Sequence, residues 1–371
     1  MLMLLKLNGI IIYSLFAFLI TICIFPIAIR ILTNMKAWII NRELSATWDE
    51  AKIFNELHKK KNGTPTMWWI VFLIVMTLML VWSRLLKDFW YINNWLVSRQ
   101  ETYIILFWFY ALGILWLVDD WTKIAKNTKI NWLWAIFKLV IMIWFALFIS
   151  YRFNVVLGVD NINLRPFDIN LLFHNNLYNL WIFSFSANFL FIFITFFITL
   201  SFINAINITD WLDWLVWGMM TINFMILAII TFLIKWYLAT TVIGITIWML
   251  VAYLRYNISP AKIFMWDSWS LAIWWMVSSL LYLIGIKIWF IIPFFVLTGI
   301  FWLELLSSAL QIFRKKIFKK KLFLIAPFHH LLEKRWHPEW SIVMRFRLLQ
   351  WILAAITLIL IMYQLIAKWI V

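Results

Sequence analysis

This 371-residue chain is short of most of what a soluble enzyme is built from. It holds one cysteine, Cys23, so no disulfide can close within the chain and no cysteine cluster can hold a metal. Charged residues make up 13% of it and hydrophobic residues 65%, which excludes a globular domain with an aqueous surface. It has 7 prolines and no Pro/Gly-rich linker, low-complexity tract or internal repeat, so residues 1–371 read as one membrane domain. Glycine is scarce too, with 8 residues where average usage gives a chain of this length about 26.

What the chain has in quantity is long apolar runs. A helix crossing a bilayer needs roughly 20 mainly apolar residues, because its backbone must satisfy its own hydrogen bonds there. Ten such stretches are expected, near residues 9–33, 66–86, 102–118, 131–151, 180–204, 214–234, 236–254, 270–286, 288–312 and 348–369. The first is too long, and too weakly followed by small residues, for a removable signal peptide, and is expected to remain as an anchor. The expected fold class is an all-α polytopic membrane protein of about ten transmembrane helices, placed in the cell membrane.

The net charge of +16 is unevenly spread. Counted by the nearest loop, 23 of the 32 Lys and Arg residues fall in the odd-numbered loops, including Arg30 to Lys61 in the first and Arg314 to Arg347 in the ninth. The positive-inside rule then places the odd loops in the cytoplasm and both termini outside. The cluster from Arg314 to Lys321 is read as a topology and lipid-headgroup signal, and no nucleic acid partner is expected. The segment from Arg152 to about Asn179, rich in Asn, Asp and Pro, falls outside and is expected to form a small hairpin or cap.

Only 16 residues are acidic, and five of them collect where spans meet cytoplasmic loops. Asp119 and Asp120 end the third span, Asp210 and Asp213 follow the fifth, and Asp267 precedes the eighth. Ionisable groups beside a bilayer are costly, so a set converging on one side indicates function. Carboxylates suit magnesium, a hard cation that takes oxygen ligands and bridges phosphates. The same face offers Lys59, Lys60, Lys61, Lys123, His329 and His330 to neutralise phosphate oxygens, which makes a phosphate-handling site the natural expectation. Its imidazoles are expected in a polar loop. An ion-coupled transporter is the competing class, but it predicts internal repeats and a site at the bilayer midplane, neither of which the sequence offers.

Five segments in order, HKKKNGTPTM from His58, LVDDWTK from Leu117, NAINITDWLDWL from Asn204, FMWDSWSLAIWW from Phe264 and APFHHLLE from Ala326, resemble the polyprenyl-phosphate N-acetylhexosamine-1-phosphate transferases. GTPTM and the histidine segment favour the branch of bacterial peptidoglycan synthesis, although that branch carries three consecutive histidines and Leu331 stands at the third. The resemblance implies magnesium at Asp267 and catalytic roles for Asp119, Asp120 and Asp267. It implies a nucleotide pocket lined by Asn207, Asp210 and Asp213, a ring stacking on uracil at Phe264, and a polar contact at Asn257. It assigns phosphate or sugar contacts to Lys123, His329 and His330. Expected partners are a UDP-linked muramoyl peptide, undecaprenyl phosphate and membrane lipids, with room for a homodimer. A sister transferase moving another N-acetylhexosamine phosphate is the alternative within the family.

Tryptophan, at 29 residues, is as abundant as glycine is rare. Within the family-like segments, Trp68, Trp69, Trp116, Trp211, Trp214, Trp266, Trp269, Trp274 and Trp275 stand where the family has, or commonly has, glycine. Glycine permits close backbone approach and positive φ, and tryptophan permits neither comfortably. The expectation is that many of these codons are UGA read as glycine in the source organism, and that the literal tryptophan chain is inactive.

Overall fold

The computed structural model describes residues 2–35, 64–65, 69–89, 96–99, 183–210, 212, 214–258, 261–263, 292–335 and 337–370, scattered positions in 102–118, 140–151 and 276–284, and three short strands between 161 and 180. The long helices are α1 (Leu2–Asn34), α2 (Trp69–Asp88), α3 (Ala187–Thr209), α4 (Leu215–Leu233) and α5 (Tyr237–Asn257). Toward the C-terminus follow α6 (Ile292–Leu297), α7 (Gly299–Phe318), α8 (Phe328–Lys334) and α9 (Glu339–Ile370). Six helices among the described residues are long and apolar enough to cross a membrane, and they fall on the first, second, fifth, sixth, seventh and tenth expected spans. The described positions of the third, fourth and eighth spans are helical.

The core lies on α4 and α5, whose apolar windows are 78% and 72% buried, whereas those of α1 and α9 are 28% buried. α5 packs against α1 on one side and α4 on the other, α9 covers α4, α2 lies on α1, and α7 lies on α3. The outer helices expose Leu4, Leu5, Leu19, Leu348, Ile359 and Tyr363. In water this would be an aggregation surface; in a bilayer it is the lipid-facing surface.

Many polar groups inside the bundle are satisfied locally or across helices. Thr209, Thr221, Thr231 and Thr246 donate to the carbonyls of Ala205, Trp217, Leu227 and Val242, each four residues back. The α4–α5 turn is a Schellman cap. Trp236 N–H donates to Thr231 C=O at 2.8 Å and Lys235 N–H to Phe232 C=O at 3.0 Å, with Lys235 left-handed at φ 64°.

Two expectations are corrected. The described part of the ninth span, expected over 288–312, is two helices: α6 ends at Leu297, Thr298 separates it from α7, and α7 runs on to Phe318. Gln350 of α9 donates to the Leu297 carbonyl at 2.8 Å and to Asn223 Oδ1 of α4 at 2.6 Å, so a carbonyl at the break finds a partner without water. The fifth span, expected from 180, begins as α3 at Ala187. Before it lie two antiparallel hairpins, Asn161–Leu164 with Ile169–Leu172 and Leu177–Leu180 with Phe183–Ser186. They realise the hairpin expected in this connection and are the exception to an otherwise helical architecture.

Candidate active site

The site-bearing end of the bundle begins where α3 stops. Asn207 lies in its last turn, and Asp210 N–H donates to Asn207 C=O at 3.3 Å in the turn that follows. Both are half-buried. Before α4 can start, Trp214 takes φ 51° and ψ 8°, the left-handed region that an L-residue with a side chain enters at a cost of about 1–2 kcal/mol. Its indole N–H has no hydrogen-bond partner. This is one of the nine positions where glycine was expected, and its backbone is of the kind glycine adopts freely. Trp69, another of the nine, differs: it is helical and fully buried against Phe72 and Phe109, a ring the core accommodates. The other seven lie outside the described residues.

Two side chains from distant elements hold the Trp214 turn. Asn257, at the end of α5 and 3% exposed, accepts from Trp214 N–H at 2.8 Å and donates to Ile263 C=O at 2.9 Å. Its amide therefore ties the Asp210 turn to the chain that leads toward Phe264 and Asp267. It was expected to touch the nucleotide, and its bonds here are to backbone. From the opposite side Arg347 of α9 donates to Trp214 C=O at 3.3 Å, with its guanidinium 4.3 Å above the Trp214 ring. Gly218, one turn into α4, makes room for it, since a Cβ there would collide with the Arg347 guanidinium.

The histidine segment comes from a second group of elements. It is not the loop expected: α8 begins at Phe328 after Pro327, so His329 and His330 form a helical first turn, 0% and 7% exposed. Pro327 stands at the N-cap with extended backbone, φ −67° and ψ 176°, where the N–H it lacks is not one the helix needs. His330 Nδ1 pairs with Glu333 Oε2 at 2.9 Å, and the two imidazoles stand 4.3 Å apart between centroids.

α7 holds this segment with two side chains spaced two turns apart. Gln311 accepts from the N–H groups of Leu322 and Phe323, both at 2.9 Å, and donates to Phe323 C=O. Glu304, 0% exposed, accepts from His329 N–H at 3.2 Å, and its Oε2 stands 3.2 Å from His329 Nδ1. The two groups of elements meet through Phe328 of α8 and Phe346 of α9, whose rings are 6.4 Å apart and sit next to His329 and Arg347.

Asn207, Asp210, Asn257, His329 and His330 are thus carried by neighbouring elements. Asp119, Asp120, Lys123, Asp213, Phe264 and Asp267 lie outside the described residues. Among the described residues no three His, Cys, Asp or Glu side chains are close enough to hold a metal. Glu304 and Arg347 were not singled out from the sequence. Glu304 had a signal: it is the one charged residue in an otherwise apolar run, IFWLELLSSAL, where a carboxylate is expensive unless it is paired.

Residues 102–286 match the model of glycosyl transferase family 4, and the chain belongs to that family; it is an enzyme, a transferase. Its similarity to individual curated proteins runs further. It is 29% identical over 353 residues to the phospho-N-acetylmuramoyl-pentapeptide-transferase of Staphylococcus carnosus, covering 93% of this chain and 95% of that protein. It is 27% identical over 285 residues to the protein of that name from Petrotoga mobilis, covering 76% and 80%. With that of Dictyoglomus thermophilum it shares 31% identity over 200 residues, covering 54% and 60%.

Proposed function

We propose that this enzyme transfers phospho-N-acetylmuramoyl-pentapeptide from its UDP carrier to undecaprenyl phosphate at the cytoplasmic face of the cell membrane, releasing UMP and forming the first lipid intermediate of peptidoglycan synthesis. The observation that carries this reading is the near end-to-end match to a relative of that name, which extends past the family model to include the His329–His330 segment. A lipid phosphate oxygen forms a bond to the β-phosphorus of the donor, and the bond from that phosphorus to the oxygen shared with the α-phosphate breaks. One phosphoanhydride replaces another, so the reaction is close to balanced and reversible, and catalysis rests on positioning and electrostatics.

In this reading Asp119, Asp120 and Asp267 are the carboxylates at the reacting phosphates. Asn207, Asp210, Asp213 and Phe264 receive the nucleotide, and Lys123, His329 and His330 contact phosphate or sugar. Asn257 keeps the Asp210 turn in register with the Asp267 segment. The oxygen-donor set suits magnesium; Asp267 would hold it, and it would supply positive charge to the diphosphate. Leu331 in place of a third histidine leaves the sister transferase as the second reading, because the resemblance gives that segment phosphate or sugar contacts. Trp214 belongs to the same reading: its positive φ supports UGA read as glycine at this codon.

The test is UMP release by the purified chain, made both as written and with glycine at the nine positions, from UDP-N-acetylmuramoyl-pentapeptide and from UDP-N-acetylglucosamine with undecaprenyl phosphate and magnesium. Release from the muramoyl donor alone, in the glycine form and lost in Asp267→Asn, is expected. Release from the second donor alone transfers the assignment to the sister enzyme, and release from neither removes the transferase reading of the site. The coding DNA settles the codons.

A further inference from the structure

A carboxylate with no exposure has few ways to exist in a membrane protein, and each needs a partner. Glu304 has His329 twice over, through the backbone N–H and through Nδ1. Both are donor positions, and a carboxylate is the one common side chain with two equivalent acceptor oxygens to meet them. The Nδ1 contact has ion-pair distance without the straight alignment of a hydrogen bond. A bare lone pair on Nδ1 facing an ionised carboxylate oxygen at 3.2 Å would be repelled, so against an ionised Glu304 the favoured tautomer has its proton on Nδ1.

The other ring nitrogen has no partner. His329 Nε2 is buried and makes no hydrogen bond, although the ring is enclosed by the protein. Tyr13 Oη, Ser308 Oγ and Gln364 Nε2 are likewise buried without a hydrogen bond, but His329 Nε2 alone of these lies in the segment given phosphate or sugar contacts, where a ligand oxygen is its natural partner. Among the described residues, the ionisable groups around the ring are Glu304 from α7 and the His330–Glu333 pair within α8.

We propose that Glu304 is a positioning residue of the transfer reaction: it anchors His329 to α7 and holds the ring through Nδ1, so that Nε2 is the nitrogen turned to an oxygen of the nucleotide-linked donor. It touches no substrate itself and acts through His329. This is the second-layer arrangement in which a carboxylate on one imidazole nitrogen fixes what the other can bind. The proposal rests on the transferase reading for the identity of the ligand, while the Glu304–His329 pairing stands on the geometry alone.

Glu304→Gln separates the two. Gln keeps the shape and can accept from His329 N–H, but it has one acceptor oxygen and its NH2 is a donor, so the ring must release Nδ1–H or lose that partner. The first measurement is the nitrogen spectrum of 15N-histidine-labelled full chain in detergent, with His329→Ala identifying the signals. In the unsubstituted chain His329 is expected with Nδ1 protonated, and in Glu304→Gln with that signal displaced. The second is UDP-sugar affinity, with UMP release. Glu304→Gln is expected to weaken donor affinity about tenfold with kcat changed less, Glu304→Asp to recover part of it, and the double variant Glu304→Gln/His329→Ala to bind no worse than His329→Ala. A His329 lacking a proton on Nδ1 in the unsubstituted chain overturns the pairing, and needs no variant to fold. Additive losses in the double variant, or undiminished affinity in Glu304→Gln, overturn the positioning role. If the unsubstituted chain turns over no UDP-sugar while the spectrum behaves as expected, the transferase reading fails and the pairing remains.

Discussion

Replacing Trp214 by Gly and, separately, by Ala measures how far this backbone position is built for glycine. Both changes remove the ring and its contact with the Arg347 guanidinium, and both leave the backbone bonds to Asn257 and Arg347, because those use the Trp214 N–H and C=O. The difference between the two variants is therefore conformational. At φ 51° a Cβ costs about 1–2 kcal/mol that glycine avoids, while glycine loses about 0.5–1 kcal/mol through the freedom of its unfolded chain. Trp214→Gly should exceed Trp214→Ala in stability by about 0.7 kcal/mol. At a position with ordinary negative φ the order reverses, with alanine ahead by about 0.5–1 kcal/mol. Unfolding of the two full-length variants by SDS in mixed micelles, followed by tryptophan fluorescence, reads the difference directly. An alanine variant as stable as the glycine variant, or more so, would refute the assignment of Trp214 as a glycine position.

Three further outcomes are expected. Gln350→Leu removes the donor shared by Asn223 and the Leu297 carbonyl and should cost about 1–2 kcal/mol in the same unfolding assay; an unchanged midpoint contradicts the account of the α6–α7 break. Asn257→Asp still accepts from Trp214 N–H but sets a carboxylate oxygen against Ile263 C=O, so UMP release should fall at least about tenfold while the chain remains folded, and full activity would dissociate Asn257 from the site. With Cys23→Ser as background, cysteines introduced at Thr64 and at Lys321 should resist an impermeant thiol reagent added outside intact cells, and modification of both from outside overturns the cytoplasmic assignment of these loops.

The membrane helices were legible because their signal is large: twenty apolar residues in succession have few other readings, and α4 and α5 begin and end within a few residues of expectation. The break at Thr298 left no such mark. Pro293, Thr298 and Gly299 are all tolerated inside transmembrane helices, and whether they break one depends on a partner such as Gln350, fifty residues away in sequence. α8 was missed for the opposite reason, since seven residues are too few for a helical period to show. At the site, Asp210, His329 and His330 were legible as polar residues at the edges of apolar runs. Glu304 and Arg347 were not, because their significance lies in what faces them across the bundle.

α9 also fixes a depth. Its 32 residues extend about 48 Å, against about 30 Å of hydrocarbon, and beyond Arg347 no charge appears until Lys368. The apolar stretch between these two cations is itself about 30 Å long, which puts the Arg347 guanidinium at the rim of the oily layer rather than within it. Trp214, bonded to Arg347, lies at the same height, and the turn carrying Asp210 is only a few residues away. A site at that level borders two phases. An acceptor with a long hydrocarbon tail can keep the tail among lipid chains and present only its phosphate, while a water-borne donor arrives from the other side without crossing a barrier. In the proposed reaction the two reactants would then meet with each travelling within its own solvent.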